Sequence, residues 1–183
     1  NCAEMIRRGK MQMMFHLQTY IYFPVYNPSF PVEIPVDDKV TLKKAEPYLD
    51  FNYLEGHIEL SYYGQPILTE KLGDYIIDYW DYLFQTILSF MEKGSGGMYL
   101  PDQPIPIDIE KKGSKWVLMT IGRKGKYGKW LLPREELLKT LMNGAASFYK
   151  GLSDAFSDSI VQKYRFKDRY EYLLNFKKQY FGE

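Results

Sequence analysis

Hydrophobic and polar residues alternate along the segment from Met11 to Phe23. One face carries Met11, Met13, Phe15, Leu17, Thr19, Ile21 and Phe23, and the other carries Gln12, His16, Gln18, Tyr20 and Tyr22. This two-residue period predicts a long strand with one buried face. Prolines follow at positions 24, 28, 31 and 35, so any strand around Val32 to Val40 is expected to be short or to lie at a sheet edge.

Further strands are predicted in two groups. In the first group, Tyr48 to Leu54 and His57 to Tyr63 are read as strands joined by a tight turn at Glu55-Gly56, and Gln65 to Glu70 can add another. The second group is a meander with turns at Lys112 to Ser114 and Gly122 to Gly128. Its strands are Met98 to Leu100, Ile105 to Ile109, Lys115 to Ile121 and Lys129 to Leu132.

Between and after these groups the period changes to that of a helix. Apolar residues at three- and four-residue steps predict a helix from Asp74, its N-cap, to Lys93, followed by a flexible Gly/Ser connector. A second helix starts at Pro133 and runs to about Phe156, with Gly144 and Gly151 placed to let another element pack closely. Tyr164 to Phe181 is the third.

The order of strands, helix, strands and two helices predicts an α+β fold. We expect a mostly antiparallel sheet in two strand groups, about three amphipathic helices, and one domain over residues 1–183. The chain begins with Asn rather than Met, so residues 1–10 are expected to be disordered or to be added residues.

Charge is divided unevenly along the chain. From Glu46 to Glu110 there are 12 acidic residues against Lys71 and Lys93, a net charge of −10. From Lys111 to Glu183 there are 16 basic and 7 acidic residues, a net charge of +9. Such a division bears on partners and on the steering of encounters rather than on the fold.

Candidate chemistry is sparse. The histidines, His16 and His57, and the single cysteine, Cys2, have no zinc-ligand spacing and no nucleophile or phosphate-loop motif around them. Each histidine is expected to be an exposed or hydrogen-bonded strand residue. We therefore expect no catalysis, no metal and no cofactor. One cysteine permits no internal disulfide, which makes the cytoplasm the default location, and the lack of an apolar run near 18 residues predicts no membrane partner.

The helix from Asp74 carries the first candidate binding surface. Asp74, Asp78 and Asp81 share one ridge, and Tyr75, Tyr79 and Tyr82 form a second ridge beside it. Because the apolar residues must face the core, the aspartates are expected to point outward and to attract a basic protein while the tyrosines supply contacts. The alternative is a solvated helix face with half-buried tyrosines. Reversing all three aspartates to lysine is expected to weaken binding without unfolding the protein.

A basic loop over residues 122–130 is the second candidate. Arg123, Lys124, Lys126 and Tyr127 could bind phosphates and stack on bases. The alternative is a flexible hairpin loop with Trp130 turned into the core. The acidic middle of the chain disfavours a nucleic-acid partner.

The stretch Met98-Tyr99-Leu100-Pro101-Asp102-Gln103-Pro104-Ile105-Pro106-Ile107, followed by a strand and the helix at Leu132-Pro133-Arg134, resembles bacterial immunity proteins found beside polymorphic or contact-dependent toxins. The resemblance covers roughly residues 98–156. It implies a non-catalytic inhibitor that binds one toxin. The other functional hypotheses are a phage-type inhibitor of a host defence protein, a nucleic-acid-binding adaptor that uses the basic loop, and an enzyme of unfamiliar type.

Overall fold

A computed structural model describes residues 15–24 and 30–182 of the chain. The strands are β1 (Phe15–Tyr22), β2 (Glu33–Pro35), β3 (Glu55–Tyr62), β4 (Gln65–Leu68), β5 (Asp74–Tyr75), β6 (Ser95–Tyr99), β7 (Pro106–Lys112), β8 (Trp116–Ile121) and β9 (Gly128–Pro133). The helices are α1 (Lys39–Ala45), α2 (Ile76–Lys93), α3 (Arg134–Ala155), α4 (Asp158–Tyr164) and α5 (Phe166–Phe181). Short 3-10 turns occur at Glu46–Tyr48, Glu70–Leu72 and Arg123–Gly125.

The first sheet is antiparallel, with the strand order β2-β1-β3-β4 and β5 paired to the start of β3. The predicted alternation of β1 is confirmed over the described residues. Phe15, Thr19 and Ile21 are buried and Leu17 is partly buried, whereas His16 is exposed. The short edge strand expected among the prolines is also present, as β2. Residues 1–14 of the chain, which include the segment predicted to be disordered and the start of the alternating pattern, lie outside the described residues.

The second sheet is the predicted antiparallel meander, with the order β6-β7-β8-β9. Its inner face is apolar and almost fully buried. The residues on that face include Met98, Ile107, Ile109, Val117, Met119, Ile121 and Leu132. Two separate antiparallel sheets and five α-helices, counted over the described residues, make one α+β domain, as the order of elements predicted.

Helices α2 and α3 join the two sheets into one core. Helix α3 packs against β1, α1 and α5, while α2 packs against β6 and β7. The two glycines of α3 create the close approaches expected of them. A Cβ on Gly144 would lie 2.5 Å from Leu17 Cδ2 and 2.8 Å from Trp80, and a Cβ on Gly151 would lie 2.6 Å from the carbonyl oxygen of Val36.

Two expectations for the first half of the chain are wrong. Residues 48–54 are not a strand, because Asp50 closes a turn by accepting a 2.9 Å hydrogen bond from the Asn52 amide and a 3.1 Å bond from the Tyr53 amide. Glu55 and Gly56 are not a turn either, since both pair with β5 as part of β3. The tight turn lies instead at Tyr63-Gly64, where both φ angles are positive, as in a two-residue hairpin.

The helical half also departs from expectation in its details. The Gly/Ser segment after α2 is not a flexible connector: Gly94 ends the helix in the left-handed conformation, and Ser95 starts β6. The third predicted helix, Tyr164 to Phe181, is present as α5, and the short helix α4 before it was not expected; Arg165, also left-handed, separates the two. Among the described residues no helix is long and apolar enough to cross a membrane.

Candidate functional site

The structure separates the six residues of the predicted acidic helix surface. Helix α2 begins at Ile76, so Asp74 and Tyr75 belong to β5. Asp74 is only 7% exposed. Its carboxylate accepts hydrogen bonds from the backbone amides of Tyr75 (2.7 Å) and Asp102 (3.0 Å), and from Gln103 Nε2 (3.3 Å). Asp74 therefore fixes the loop after β6 and does not belong to an exposed ridge.

Asp81 is partly exposed, but its carboxylate is bound by two other helices. Tyr149 Oη donates a 2.6 Å hydrogen bond to Asp81 Oδ1, and Arg169 pairs with Oδ2. The Arg169 guanidinium also donates to Tyr149 Oη at 3.1 Å and lies 5.4 Å from the centre of that ring. Burial raises the pKa of the Tyr149 hydroxyl, and the Asp81 charge adds to the effect. These three side chains line a cleft of about 500 Å³ between α2, α3 and α5.

Tyr79 is fully buried, which removes it from any surface, and burial raises its pKa. Asp78 and Tyr82 are the exposed members of the set, and Tyr75 is half-buried. Desolvation and the neighbouring Asp81 charge raise the pKa of Asp78. The expectation of a continuous outward ridge is wrong, because the second sheet covers one side of α2 while α3 and α5 lie on another, leaving only a narrow exposed strip.

Carboxylates and tyrosines do meet on the outer side of the first sheet. In the β1–β3 ladder, Tyr20 lies opposite His57 and Gln18 lies opposite Glu59. Tyr22 lies opposite Glu33 of β2. Directly opposed residues share one side of a sheet, and alternate residues of β3 share it too. We call this surface the tyrosine–glutamate face; it consists of Tyr20, Tyr22, Glu33, Glu55, His57 and Glu59.

Tyrosines and carboxylates from neighbouring segments extend the tyrosine–glutamate face. Tyr75 lies opposite Glu55, and its ring packs 5.6 Å from that of Tyr53, which is 62% exposed. Tyr22 Oη donates a 3.3 Å hydrogen bond to the carbonyl oxygen of Glu70. A small cleft of about 180 Å³ at this end is lined by Tyr22, Glu55, Gly73, Asp74, Tyr75, Asp102 and Gln103.

The charges that act on these tyrosines are negative. Partial burial raises the pKa of Tyr22 to about 12, and Glu33, Glu70 and Glu55 add to the rise. Burial followed by the Glu59, Glu33 and Asp37 charges raises the pKa of Tyr20. For Tyr75, the Asp102 charge is the largest cause of its raised pKa. The face thus has a local excess of negative charge around neutral rings.

His57 lies beneath the rings of this face. The ring stacks on Tyr20 at a centroid distance of 4.8 Å, lies 5.4 Å from Tyr22, and is 0% exposed. Neither ring nitrogen has a hydrogen-bond partner among the described residues. The nearest charge is Glu59, whose Oε1 lies 3.8 Å from Nε2, too far for a hydrogen bond. An unsatisfied buried polar group costs about 1–3 kcal/mol, so His57 lowers the free energy of unfolding at this position.

The expectation of an exposed or hydrogen-bonded His57 is therefore wrong. Its partners on the face were also missed, although their types are visible in the sequence. The polar side of β1 shows Gln18, Tyr20 and Tyr22 in alternation, but only the pairing of β1 with β3 brings them beside His57 and Glu59. His16 is exposed, as expected.

The basic loop is more ordered than expected. Arg123 and Lys124 form part of a 3-10 turn in which Lys124 has a φ of +57°. Tyr127 is 46% exposed, and Lys126 Nζ lies 5.4 Å from the centre of its ring. Trp130 is partly buried against the core. Arg123, Lys124 and Lys126 remain exposed and share one loop with Tyr127.

Within the described ranges no group of three or more histidine, cysteine, aspartate or glutamate residues could hold a metal ion. Comparison with known proteins gives no match: no protein-family model, no curated protein and no solved structure matches the chain.

Proposed function

We propose that this protein is a non-catalytic, protein-binding inhibitor of the immunity type, which acts in the cytoplasm and neutralises a basic partner such as a toxin. The observation that supports it is a group of carboxylates, without ion-pair partners among the described residues, beside half-buried tyrosine rings. Glu33, Glu55, Glu70 and Asp102 border Tyr20, Tyr22 and Tyr75, and no lysine or arginine of the described residues forms an ion pair with these four carboxylates.

This surface has the charge and the contact residues that suit a basic protein. Unpaired carboxylates steer an oppositely charged partner and accelerate encounter. Tyrosine rings supply large, rigid contact area with little conformational entropy to lose. Two cations of the C-terminal half are paired elsewhere, Arg169 with Asp81 and Lys150 with Asp154. A phage-type inhibitor of a host defence protein would present the same surface, so the identity of the partner distinguishes the two.

The test is capture from native lysate by the tagged protein and by two charge variants. The first variant combines Glu33→Lys, Glu55→Lys and Glu59→Lys. The matched control, Glu92→Lys with Glu136→Lys and Glu171→Lys, makes the same change in net charge at exposed helical positions. A basic protein should be retained by the parent and the control and lost from the first variant.

The captured protein is then titrated in its own activity assay. Full inhibition at a one-to-one ratio is the expected result. The proposal would be contradicted if the glutamate variant retained the basic protein as well as the parent does. It would also be contradicted if the captured protein stayed active at a saturating concentration of this chain. The aspartate reversal that the sequence suggested is unsuitable as a test, because Asp74 and Asp81 hold the fold together.

A nucleic-acid adaptor is the second candidate function. It is favoured by one observation, the exposed cations Arg123, Lys124 and Lys126 grouped with the 46%-exposed ring of Tyr127.

A further inference from the structure

We infer that the tyrosine–glutamate face recognises an arginine side chain of the basic partner, and that this guanidinium donates to both His57 and Glu59. The inference rests on the proposed function and specifies its chemistry. It commits to one occupant, an arginine in an exposed segment of another protein.

His57 and Glu59 leave a gap between two atoms that can each accept a hydrogen bond. His57 Nε2 and Glu59 Oε1 are 3.8 Å apart, too far to bond to each other. A single NH₂ group placed about 2.9 Å from both would donate one hydrogen to each. When the proton of a neutral imidazole lies on Nδ1, Nε2 is an acceptor, and an ionised carboxylate accepts only, so these two atoms cannot satisfy each other.

His57 is a polar group that the described part of the fold buries without a hydrogen-bond partner. His57 is 0% exposed, and both its ring nitrogens lack partners among the described residues. A fold that maximised stability alone would pair such a group or replace it with an apolar residue. A buried, unsatisfied histidine inside an acidic surface is what a binding site for an external donor requires.

The ring and the acceptors of this face favour arginine over other cations. The ring of Tyr22 lies 5.4 Å from that of His57 at a tilt of 34°, and Glu33 lies opposite Tyr22. A planar guanidinium stacks on such rings while its five N–H groups reach several acceptors, whereas an ammonium has three donors and no plane to stack. Tyr20 is half-buried and stacked directly on His57, so its ring has to move aside for the guanidinium to reach Nε2.

The experiment is a titration of ¹⁵N-labelled protein with three short peptides at low ionic strength, followed by amide chemical shifts. The peptides are acetyl-Gly-Arg-Gly-Arg-Gly-amide and its lysine and citrulline counterparts. We expect the arginine peptide to shift the amides of β1 and β3 around Tyr20 and His57. The lysine peptide should bind several-fold more weakly, and the citrulline peptide, which has the same shape without the charge, should cause no shift.

Two substitutions and a matched control complete the test. His57→Leu and Glu59→Gln should each weaken arginine binding about five- to tenfold. The first substitution removes one acceptor, and the second removes the negative charge of the other acceptor. His16→Leu, a histidine on the same side of β1 but opposite Ser61, should leave binding within about twofold of the parent. Glu59 is half-exposed, so its variant tests the inference even where His57→Leu perturbs the fold.

Each other outcome overturns the inference. Equal binding of the citrulline peptide, shifts confined to another surface, or unchanged binding by both variants would exclude the arginine site. Concentration-dependent shifts of these amides without peptide, with a dimer in sedimentation, would assign the face to a second copy of the chain. If a partner is captured but the arginine peptide does not bind, the proposed function stands and the arginine site is excluded. If the peptide binds but no partner is captured, the arginine site stands and the proposed function is contradicted.

Discussion

The hydroxyl of Tyr149 donates a 2.6 Å hydrogen bond to Asp81, across 68 positions of sequence, and so ties helix α3 to helix α2. Arg169 of α5 pairs with the other carboxylate oxygen. One aspartate therefore connects three helices, and its neighbour Asp78 is exposed and forms none of these bonds.

This connection predicts a contrast between the two aspartates. Tyr149→Phe should cost about 1 kcal/mol of unfolding free energy, the value of one hydrogen bond, and Asp81→Ala about 2 kcal/mol, because two donors lose their acceptor. Asp78→Ala should stay within about 0.5 kcal/mol of the parent. Urea denaturation measures all three, and equal losses at Asp78 and Asp81 would contradict the assignment.

The two glycines of α3 should differ in their response to a methyl group. Gly151→Ala places the new carbon against the backbone oxygen of Val36, which cannot move freely, and should cost about 2–3 kcal/mol. Gly144→Ala meets side-chain ends of Leu17 and Trp80 and gains about 0.5–1 kcal/mol of helix propensity, so its net cost should be about 1 kcal/mol. Ser147→Ala, exposed on the same helix, is the control. In thermal unfolding, Gly151→Ala should have the lowest Tm of the three variants. A lower Tm for Gly144→Ala than for Gly151→Ala would contradict the packing argument.

His57 should be dispensable for stability. Since it makes no hydrogen bond to a described residue, His57→Leu removes an unsatisfied polar group and should leave the unfolding free energy unchanged or raise it by about 1 kcal/mol. Denaturant titration beside the His16→Leu variant checks this. A loss above about 2 kcal/mol would mean that His57 has a structural role, such as a hydrogen bond to bound water.

Stability at high pH should depend on Tyr22. Burial and the surrounding glutamates raise its pKa from 10.0 to about 12 in the folded protein. The neutral hydroxyl therefore contributes its full stabilisation below pH 10, and this contribution is lost as the pH rises towards 12. The unfolding free energy of the parent should fall more steeply between pH 9.5 and 11.5 than that of Tyr22→Phe. Parallel curves would contradict the prediction.

The basic loop gives a direct test of the second candidate function. We expect no retention of RNA or single-stranded DNA in filter binding at about 50 mM salt, because the acidic surface repels phosphate. Retention that is lost in a variant combining Arg123→Ala, Lys124→Ala and Lys126→Ala would instead favour the nucleic-acid adaptor. Arg134→Ala with Lys163→Ala and Lys167→Ala removes the same charge from the helices and serves as the control.

Much of the fold followed from local patterns. The alternation in β1 and the three-to-four-residue spacing in α2 arise because one side of each element is buried. The apolar residues of that side recur within a short segment, so the sequence shows them directly. Gly144 and Gly151 also indicated close contacts, because glycine destabilises the interior of a helix and two glycines seven residues apart lie on one face. The turn at Asp50 and the left-handed junction at Arg165 between α4 and α5 were missed, since both depend on backbone conformations that the hydrophobic pattern does not encode.

The candidate site shows the limit more clearly. By itself the sequence determined the α+β class, the acidic central segment and its abundance of tyrosines. Only the tertiary structure decided which of those residues share a surface: it buried Asp74 and Tyr79, paired Asp81 with Tyr149, and set Tyr20 over His57 beside Glu59. Charge and ring content are properties of composition, whereas a shared surface requires strand register and helix packing, which join residues tens of positions apart.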